Sequence, residues 1–332
     1  MLRIAEELPA GTASTRPLAA GTAVKILTGA PVPEGADTVI KYEDTIFTSQ
    51  SVTISHPCKP GNIVPVGEDI VNGEVLASCG TRITGPVMGM LAGQGLAEVL
   101  VYRRPVVSII STGSELMQPG VPLSPGKIYG TNFFILGGFL KDLGAQVLDG
   151  GTVEDQPDKI SECIHRELLR ADLVITTGGA SVGDYDYAET SFLKVGAQTL
   201  FRHLSFKPGG AMLASVKDGK VILGLSGNPG AAVVGLLRVA APYIRKLCGR
   251  SHWLWEVMNL RLKEPFPKPS PDMRFIQGRL AVENGCAYFV ENPRQANGTV
   301  SSLVQCSLLA EIPAGSPPLA AGTMVKAYRI EE

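Results

Sequence analysis

The pattern of apolar and polar positions changes twice along the chain. Over residues 1–80, short β-like runs at Val24–Leu27, Thr38–Tyr42 and Val52–Ser55 are separated by turn residues, with Gly, Pro, Thr and Val abundant. That punctuation predicts a small N-terminal β-domain. Residues 81–103 hold one apolar, glycine-bearing stretch, Pro86–Leu96, which predicts a short connecting helix leading into a strand at Glu98–Tyr102.

From Pro105 onward strands and helices alternate. Val106–Ser111, Leu173–Thr177 and Val221–Leu225 are runs of the kind found in strands buried on both faces, with a shorter strand at Gln146–Leu148. Between them, Thr131–Leu143, Pro157–Leu169, Ala188–Val195 and Ala231–Leu247 read as helices. In the second of these, Pro157 opens the helix and Ile160, Ile164 and Leu168 share one face. The alternation predicts an α/β domain over 104–250 with a central, mostly parallel sheet and helices on both faces. Residues 251–332 return to short strand-like runs between Pro and Gly, a C-terminal β-domain. Pro17–Lys25 and Pro318–Lys326 echo one another, PLAAGTAVK against PLAAGTMVK, which reads as shared turn-to-strand chemistry rather than a repeat array.

A chain of 332 residues needs more than one core. Its 30 basic and 31 acidic residues give a net charge of −1, no electrostatic footprint for nucleic acid or an anionic membrane, so an anionic ligand must be held locally. The six cysteines contain no CxxC pair and read as reduced thiols rather than disulfides or zinc ligands. No uncharged apolar stretch reaches the ~18 residues of a membrane span, and the N-terminus lacks a signal-peptide pattern. The expected location is cytoplasmic.

Open parallel sheets bind ligands in the loops beyond the carboxyl ends of their strands. Three such loops are rich in Gly or small polar residues: Thr112-Gly113-Ser114-Glu115, the stretch Gly178-Gly179-Ala180-Ser181-Val182-Gly183-Asp184-Tyr185-Asp186, and Ser226-Gly227-Asn228-Pro229-Gly230. Glycine permits close backbone approach, and a helix start offers free N–H groups to an anion. Each loop alone also reads as plain turn chemistry; three on one sheet edge point to a crevice for a phosphate or pterin. Neither a P-loop nor a dinucleotide fingerprint is present.

Glu115, Asp155, Asp184 and Asp186 cluster on these loops. Asp155 and Asp184 read equally as caps of the helices that follow them. Two acids in Gly183-Asp184-Tyr185-Asp186 exceed what capping needs. Carboxylates beside a phosphate crevice imply Mg²⁺, which cancels the repulsion between acid and ligand; Glu115 and Asp186 are its expected ligands. Lys207 is the cationic candidate for an oxyanion, against the alternative of a solvated surface lysine.

With these motifs in view, the chain resembles the molybdopterin molybdenumtransferase family, of the MoeA and gephyrin E-domain type. The likeness rests on TGSEL (112–116), TVEDQP (152–157), ITTGGASVGDYD (175–186), FKPG (206–209) and GLSGNPG (224–230), together with LTGAPVPEGAD (27–37) and GEDI (67–70), and it runs through the chain in order. The resemblance implies that adenylylated molybdopterin and molybdate are substrates, that the metal passes to the dithiolene sulfurs, and that AMP is released with Mg²⁺ assisting. By motif position it implies active-site roles for Thr28, Asp69, Glu115, Asp155, Asp186 and Lys207. It likewise assigns cofactor contacts to Thr112, Gly113, Ser114, Gly178, Gly179, Ser181, Asp184, Ser226, Gly227, Asn228 and Pro229. It implies a homodimer in which Thr28 and Asp69 of one subunit face the cleft of the other, with molybdoenzymes or cofactor-biosynthesis proteins as further partners.

Several positions depart from the family pattern. The likeness begins past the usual first helical segment and its DGYA-like motif, so that segment is expected to be lacking. Val64, His203 and Gln277 stand where basic residues are usual, the PGNPVS loop reads Ser226–Ala231, and QGS reads Gln295-Ala296-Asn297. Two further readings follow: a non-catalytic molybdopterin-binding carrier or scaffold, and a nicotinamide-nucleotide amidase-like enzyme, which shares only the central domain.

Overall fold

The computed structural model describes residues 1–55, 61–178 and 185–330, with 185 and 186 as backbone only. The chain forms two compact units, Met1–Leu76 and Ala77–Glu332. In the first, β1 (Leu2–Leu8), β2 (Thr22–Ile26), β3 (Thr45–Phe47) and β4 (Ser51–Ile54) make a sheet ordered β2-β1-β4-β3. β1 and β2 are parallel and the remaining pairs antiparallel. The expected strand at Thr38–Tyr42 does not form: Val39 is held by loop contacts to Gly61 and Asn62, and Tyr42–Asp44 is a 3-10 turn.

The second unit opens with helix α1 (Gly85–Gly93), none of whose residues is buried. The strand expected at Glu98–Tyr102 is absent; that stretch joins no ladder, and Val99, Leu100, Val101 and Tyr102 are exposed. β-propensity does not make a strand without an edge to pair with.

The α/β layer then runs β5 (Val106–Thr112), the short strands β6 (Leu116–Met117) and β7 (Ile128–Tyr129), α2 (Asn132–Asp142), β8 (Gln146–Val153), α3 (Pro157–Leu168), β9 (Leu173–Thr177), α4 (Tyr185–Lys194), β10 (Gln198–His203), β11 (Phe206–Lys207), β12 (Ala211–Lys217), β13 (Lys220–Leu225), α5 (Pro229–Gly235) and α6 (Ala241–Leu247). The main sheet is ordered β10-β12-β13-β9-β5-β8. β13, β9, β5 and β8 are parallel; β12 runs antiparallel to both β13 and β10. Val107, Ile109 and Ile110 of β5 and Leu173, Val174 and Ile175 of β9 are fully buried. Each such aliphatic side chain contributes on the order of 1.5–3 kcal/mol when removed from water.

The helix expected over Ala231–Leu247 is instead two α segments joined by a π turn at Leu236–Ala240. Pro242 supplies the reason: it has no N–H to donate and its ring crowds the carbonyl one turn back, which the wider turn absorbs. The turn also sends Arg238 over the rings of Tyr328 (3.9 Å to the centroid) and Phe275 (4.7 Å).

Those rings belong to the C-terminal barrel. It comprises β14 (Val257–Leu262), β15 (Met273–Glu283), β16 (Cys286–Glu291), β17 (Leu308–Ile312) and β18 (Met324–Arg329), closed by the β15–β17 pairing. β11 adds in parallel to β15, through Phe206 with Met273 and Lys207 with Arg274. Trp255 Nε1 donates to the Leu237 carbonyl at 2.6 Å. These contacts fix the barrel against the end of the sheet where the loops lie.

Candidate active site

The carboxyl ends of β5, β9 and β13 are adjacent in the sheet, so the residues that first leave them lie side by side. Gly178, which ends β9, fits only as glycine: its φ is +108°, and a Cβ there would lie 2.3 Å from the Thr112 carbonyl oxygen. Its N–H donates to Leu225 O at 3.3 Å, closing the β9 and β13 ends together. Asn132, the first residue of α2, donates from Nδ2 to Gly227 O at 2.9 Å.

A cavity of about 660 Å³ opens over these ends, a size suited to a drug-sized or nucleotide-sized ligand. Its wall includes Thr112, Gly113 and Glu115 from the first loop, Gly178 from the second, and Ser226, Gly227, Asn228 and Pro229 from the third. Asp155 lies in the wall as well. It does not cap α3, whose cap position is Gln156 with no side-chain cap. Its carboxylate instead accepts from the Ser114 N–H at 3.4 Å, and the Lys127 ammonium donates to Ser114 O at 2.6 Å. The backbone of Ser114 is thus held from both sides.

Among the described lining residues there are two carboxylates, Glu115 and Asp155, and no lysine, arginine or histidine. The donors on offer are oxygens: two carboxylates with Ser111, Thr112, Thr131, Thr177 and Ser226. Among the described residues no three acidic, histidine or cysteine side chains gather as a metal site, so a hard divalent cation here would rest on one or two carboxylates and complete its shell from a substrate phosphate and water.

Several expected site residues are not among the described lining residues. Lys207 is on β11, two-thirds exposed, and pairs with Asp272 at 2.8 Å. Its ammonium holds the Asp272 carboxyl below the ordinary range. Thr28 and Asp69 are exposed turn residues of the first unit. Gly179, Ser181 and Asp184 fall outside the described residues, and Asp186 lies in the first turn of α4, its backbone alone described. The start of α5 is not open to an anion at Gly230, because the Asn297 carbonyl takes that N–H at 2.9 Å.

Other lining residues escaped the sequence reading. Leu116, Ile128 and Tyr129 come from the β6/β7 ribbon, Tyr187 from α4, and Gly298 and Val300 from the barrel. None carries a local signal of its own.

Comparison with known proteins agrees along the whole chain. Residues 3–95 match the family model of the MoeA N-terminal region (domain I and II), 108–246 that of a probable molybdopterin binding domain, and 259–330 that of the MoeA C-terminal region (domain IV). A molybdopterin molybdenumtransferase of Staphylococcus epidermidis is 33% identical over 323 residues, covering 97% of this chain and 77% of that protein. Two crystal structures of the molybdopterin biosynthesis moeA protein from Pyrococcus horikoshii superpose with TM-scores of 0.84 and 0.79 at 26% and 27% identity. They cover 100% and 99% of this chain and 81% and 80% of theirs.

Proposed function

The chain belongs to the molybdopterin molybdenumtransferase family, and from that premise we propose that the cavity over the β5, β9 and β13 ends receives adenylylated molybdopterin and molybdate. The protein is an enzyme of molybdenum cofactor biosynthesis. The observation that supports the assignment of the site is the meeting of Thr112, Gly113 and Glu115, Gly178, and Ser226–Pro229, together with Asp155, on one cavity at that sheet edge.

In this reading, Glu115 and Asp186 would hold Mg²⁺, with Asp155 as a further carboxylate of the wall, and the ion would supply positive charge against the phosphoanhydride. Gly113, Gly178 and Gly227 let the backbone approach the ligand. Ser114, Ser181, Asp184 and the Ser226–Pro229 loop contact the pterin nucleotide, and Thr112 shapes the floor. A water oxygen joins one phosphorus of the anhydride as the P–O bond to the bridging oxygen breaks, its proton passes to solvent and AMP leaves; one oxo group of molybdate takes the two thiol protons and departs as water as the two sulfurs replace it. Lys207 would leave Asp272 to reach an oxyanion.

A homodimer fits this reading, with Thr28 and Asp69 of the partner completing the cleft. An apolar helix without a buried face, α1, followed by the exposed run Val99–Tyr102, is a surface that water does not favour. A solution mass of twice the chain supports this; a monomer at micromolar concentration argues against it. The cytosol is the proposed compartment: Cys79, Cys163 and Cys286 stand as thiols, and no helix among the described residues is long and apolar enough to cross a membrane. Nothing favours the carrier reading, and an amidase sharing only the central domain would not match in all three regions.

The direct test is AMP release by the purified chain from adenylylated molybdopterin with Mg²⁺ and molybdate, and its loss in Asp186→Asn. Binding of the substrate without AMP release would instead support the carrier reading.

A further inference from the structure

The barrel reaches the cavity through the loop between Asn292 and Ser302, which contributes Gly298 and Val300 to the wall. One side chain organises the start of this loop. Gln295 Oε1 accepts from the Gln277 N–H at 3.2 Å, while Nε2 donates to Gln277 O at 2.6 Å and to Asn292 O at 2.7 Å. Both amide hydrogens and the amide oxygen are therefore used on backbone groups of the barrel. Arg294, its neighbour, sits at φ +63°, a conformation that a residue with a Cβ does not choose locally. The loop's shape is imposed by its bonds.

The far side of the loop grips the substrate-facing turn. Asn297 O accepts from the Gly230 N–H at 2.9 Å, and the buried Gln277 reaches from Nε2 to Gly230 O at 3.4 Å. Gly230 is thus held at both its N–H and its C=O, by the loop and by the residue to which the loop is tied. It directly follows Pro229, the last of four consecutive lining residues. Gln295 is not itself among the lining residues.

We propose that Gln295 is a positioning residue of the substrate cavity, locking the barrel loop onto the first turn of α5 and so fixing the wall formed by Ser226–Pro229, Gly298 and Val300. This rests on the reading of the cavity as the site of the adenylylated substrate. The assignment is to the amide specifically. Glutamate has the same length and keeps the acceptor, but it presents a carboxylate to two carbonyl oxygens.

The test uses the full chain as wild type, Gln295→Ala and Gln295→Glu, reading hydrogen exchange at the Gly230 amide and the kinetics of AMP release. In both variants Gly230 exchanges faster, and KM for adenylylated molybdopterin rises about tenfold with kcat within about twofold, as expected when a binding wall is displaced rather than a reacting group lost. A merely structural role would lower the unfolding temperature and leave KM unchanged. Unchanged exchange or unchanged KM in Gln295→Ala overturns the proposal, as does a Gln295→Glu variant that behaves as wild type. Should the wild type release no AMP, the functional reading fails on its own, and Gly230 exchange still decides whether Gln295 is the lock.

Discussion

Asn132 and Gly227 are joined by a single hydrogen bond, Nδ2 to carbonyl oxygen at 2.9 Å, while the other end of the same amide, Oδ1, is buried without a hydrogen-bond partner among the described residues. The amide therefore ties the first turn of α2 to the loop after β13 at some cost, and both of those segments line the cavity. A buried acceptor left unpaired costs about 1–3 kcal/mol, roughly what the bond at the other end returns. Asn132→Ala removes both terms together. Its stability in denaturant should stay within about 1 kcal/mol of wild type, while AMP release falls about tenfold because the two walls are no longer registered. Asn132→Asp should be worse than Ala, since a carboxylate would face the Gly227 carbonyl. Full activity in Asn132→Ala would show that the tie has no bearing on the chemistry.

Gly178→Ala tests the closeness of the strand ends. A methyl group at 2.3 Å from the Thr112 carbonyl oxygen, on a backbone at φ +108°, forces β5 and β9 apart where they border the cavity. The expected cost is about 1–3 kcal/mol, as for other overpacked sites, seen as a drop of some 2–4 °C in Tm for each kcal/mol lost. AMP release should disappear even at temperatures where the variant is folded. A variant with wild-type Tm and activity would mean that the two loops are free to separate without consequence.

How much of this could be read from the chain itself varies by element. β5, β9 and β13 were legible because their apolar runs are long enough to be buried on both faces, and α3 because Pro157 and the Ile160, Ile164, Leu168 face mark it. The echo of PLAAGTAVK and PLAAGTMVK was also sound as turn chemistry: Thr22 and Thr323 each donate to the carbonyl three residues back, beside Gly21 and Gly322 at positive φ. β1 carries a weaker signal: LRIAEEL alternates only at its start, and Glu6 and Glu7 break the apolar run. The π turn before Pro242 and the unpaired Glu98–Tyr102 stretch depend on what packs against them. In the site, the Thr112–Glu115 and Ser226–Pro229 stretches carry a local Gly and Ser signal, whereas Tyr129, Tyr187, Gly298 and Val300 arrive by tertiary packing alone.

Glu167 makes the fold acid-sensitive. Its side chain is fully buried under β5, accepting from Ser108 Oγ at 2.7 Å, from Arg170 Nε at 2.7 Å and from Arg166 Nε at 3.0 Å. Burial alone would raise its pKa, but the bonds from Ser108, Arg170 and Arg166 outweigh it and bring the carboxyl below the ordinary value of 4.5. A folded-state pKa below the unfolded one adds stability that is present above the unfolded value and lost as pH falls through the folded one. Denaturant unfolding from pH 7 to pH 3 should therefore show Glu167→Gln less stable than wild type by about 1.5–3 kcal/mol at neutral pH, the strength of bonds to a charged group. The gap should narrow in the acid limb, below 4.5. A gap that stays constant with pH would mean that the charge on Glu167 contributes nothing.

The proposed Mg²⁺ site predicts how activity would depend on the ion. Glu115 and Asp155 face a cavity whose described wall holds no cationic side chain, yet the substrates proposed for it are a phosphoanhydride and a dianion. Two unit charges at ~4 Å repel by about 4 kcal/mol at an effective dielectric of 20, so without a cation each carboxylate opposes binding. Glu115→Gln should consequently bind AMP more tightly than wild type when Mg²⁺ is removed with a chelator. With Mg²⁺ present the order should reverse if Glu115 is a ligand of the ion as proposed, and the Mg²⁺ concentration giving half-maximal AMP release should rise about tenfold or more. Calorimetry at zero and saturating Mg²⁺ reads the two affinities directly. If Glu115→Gln binds AMP more weakly than wild type in both conditions, its carboxylate contacts the nucleotide itself, and the ion is held by other residues.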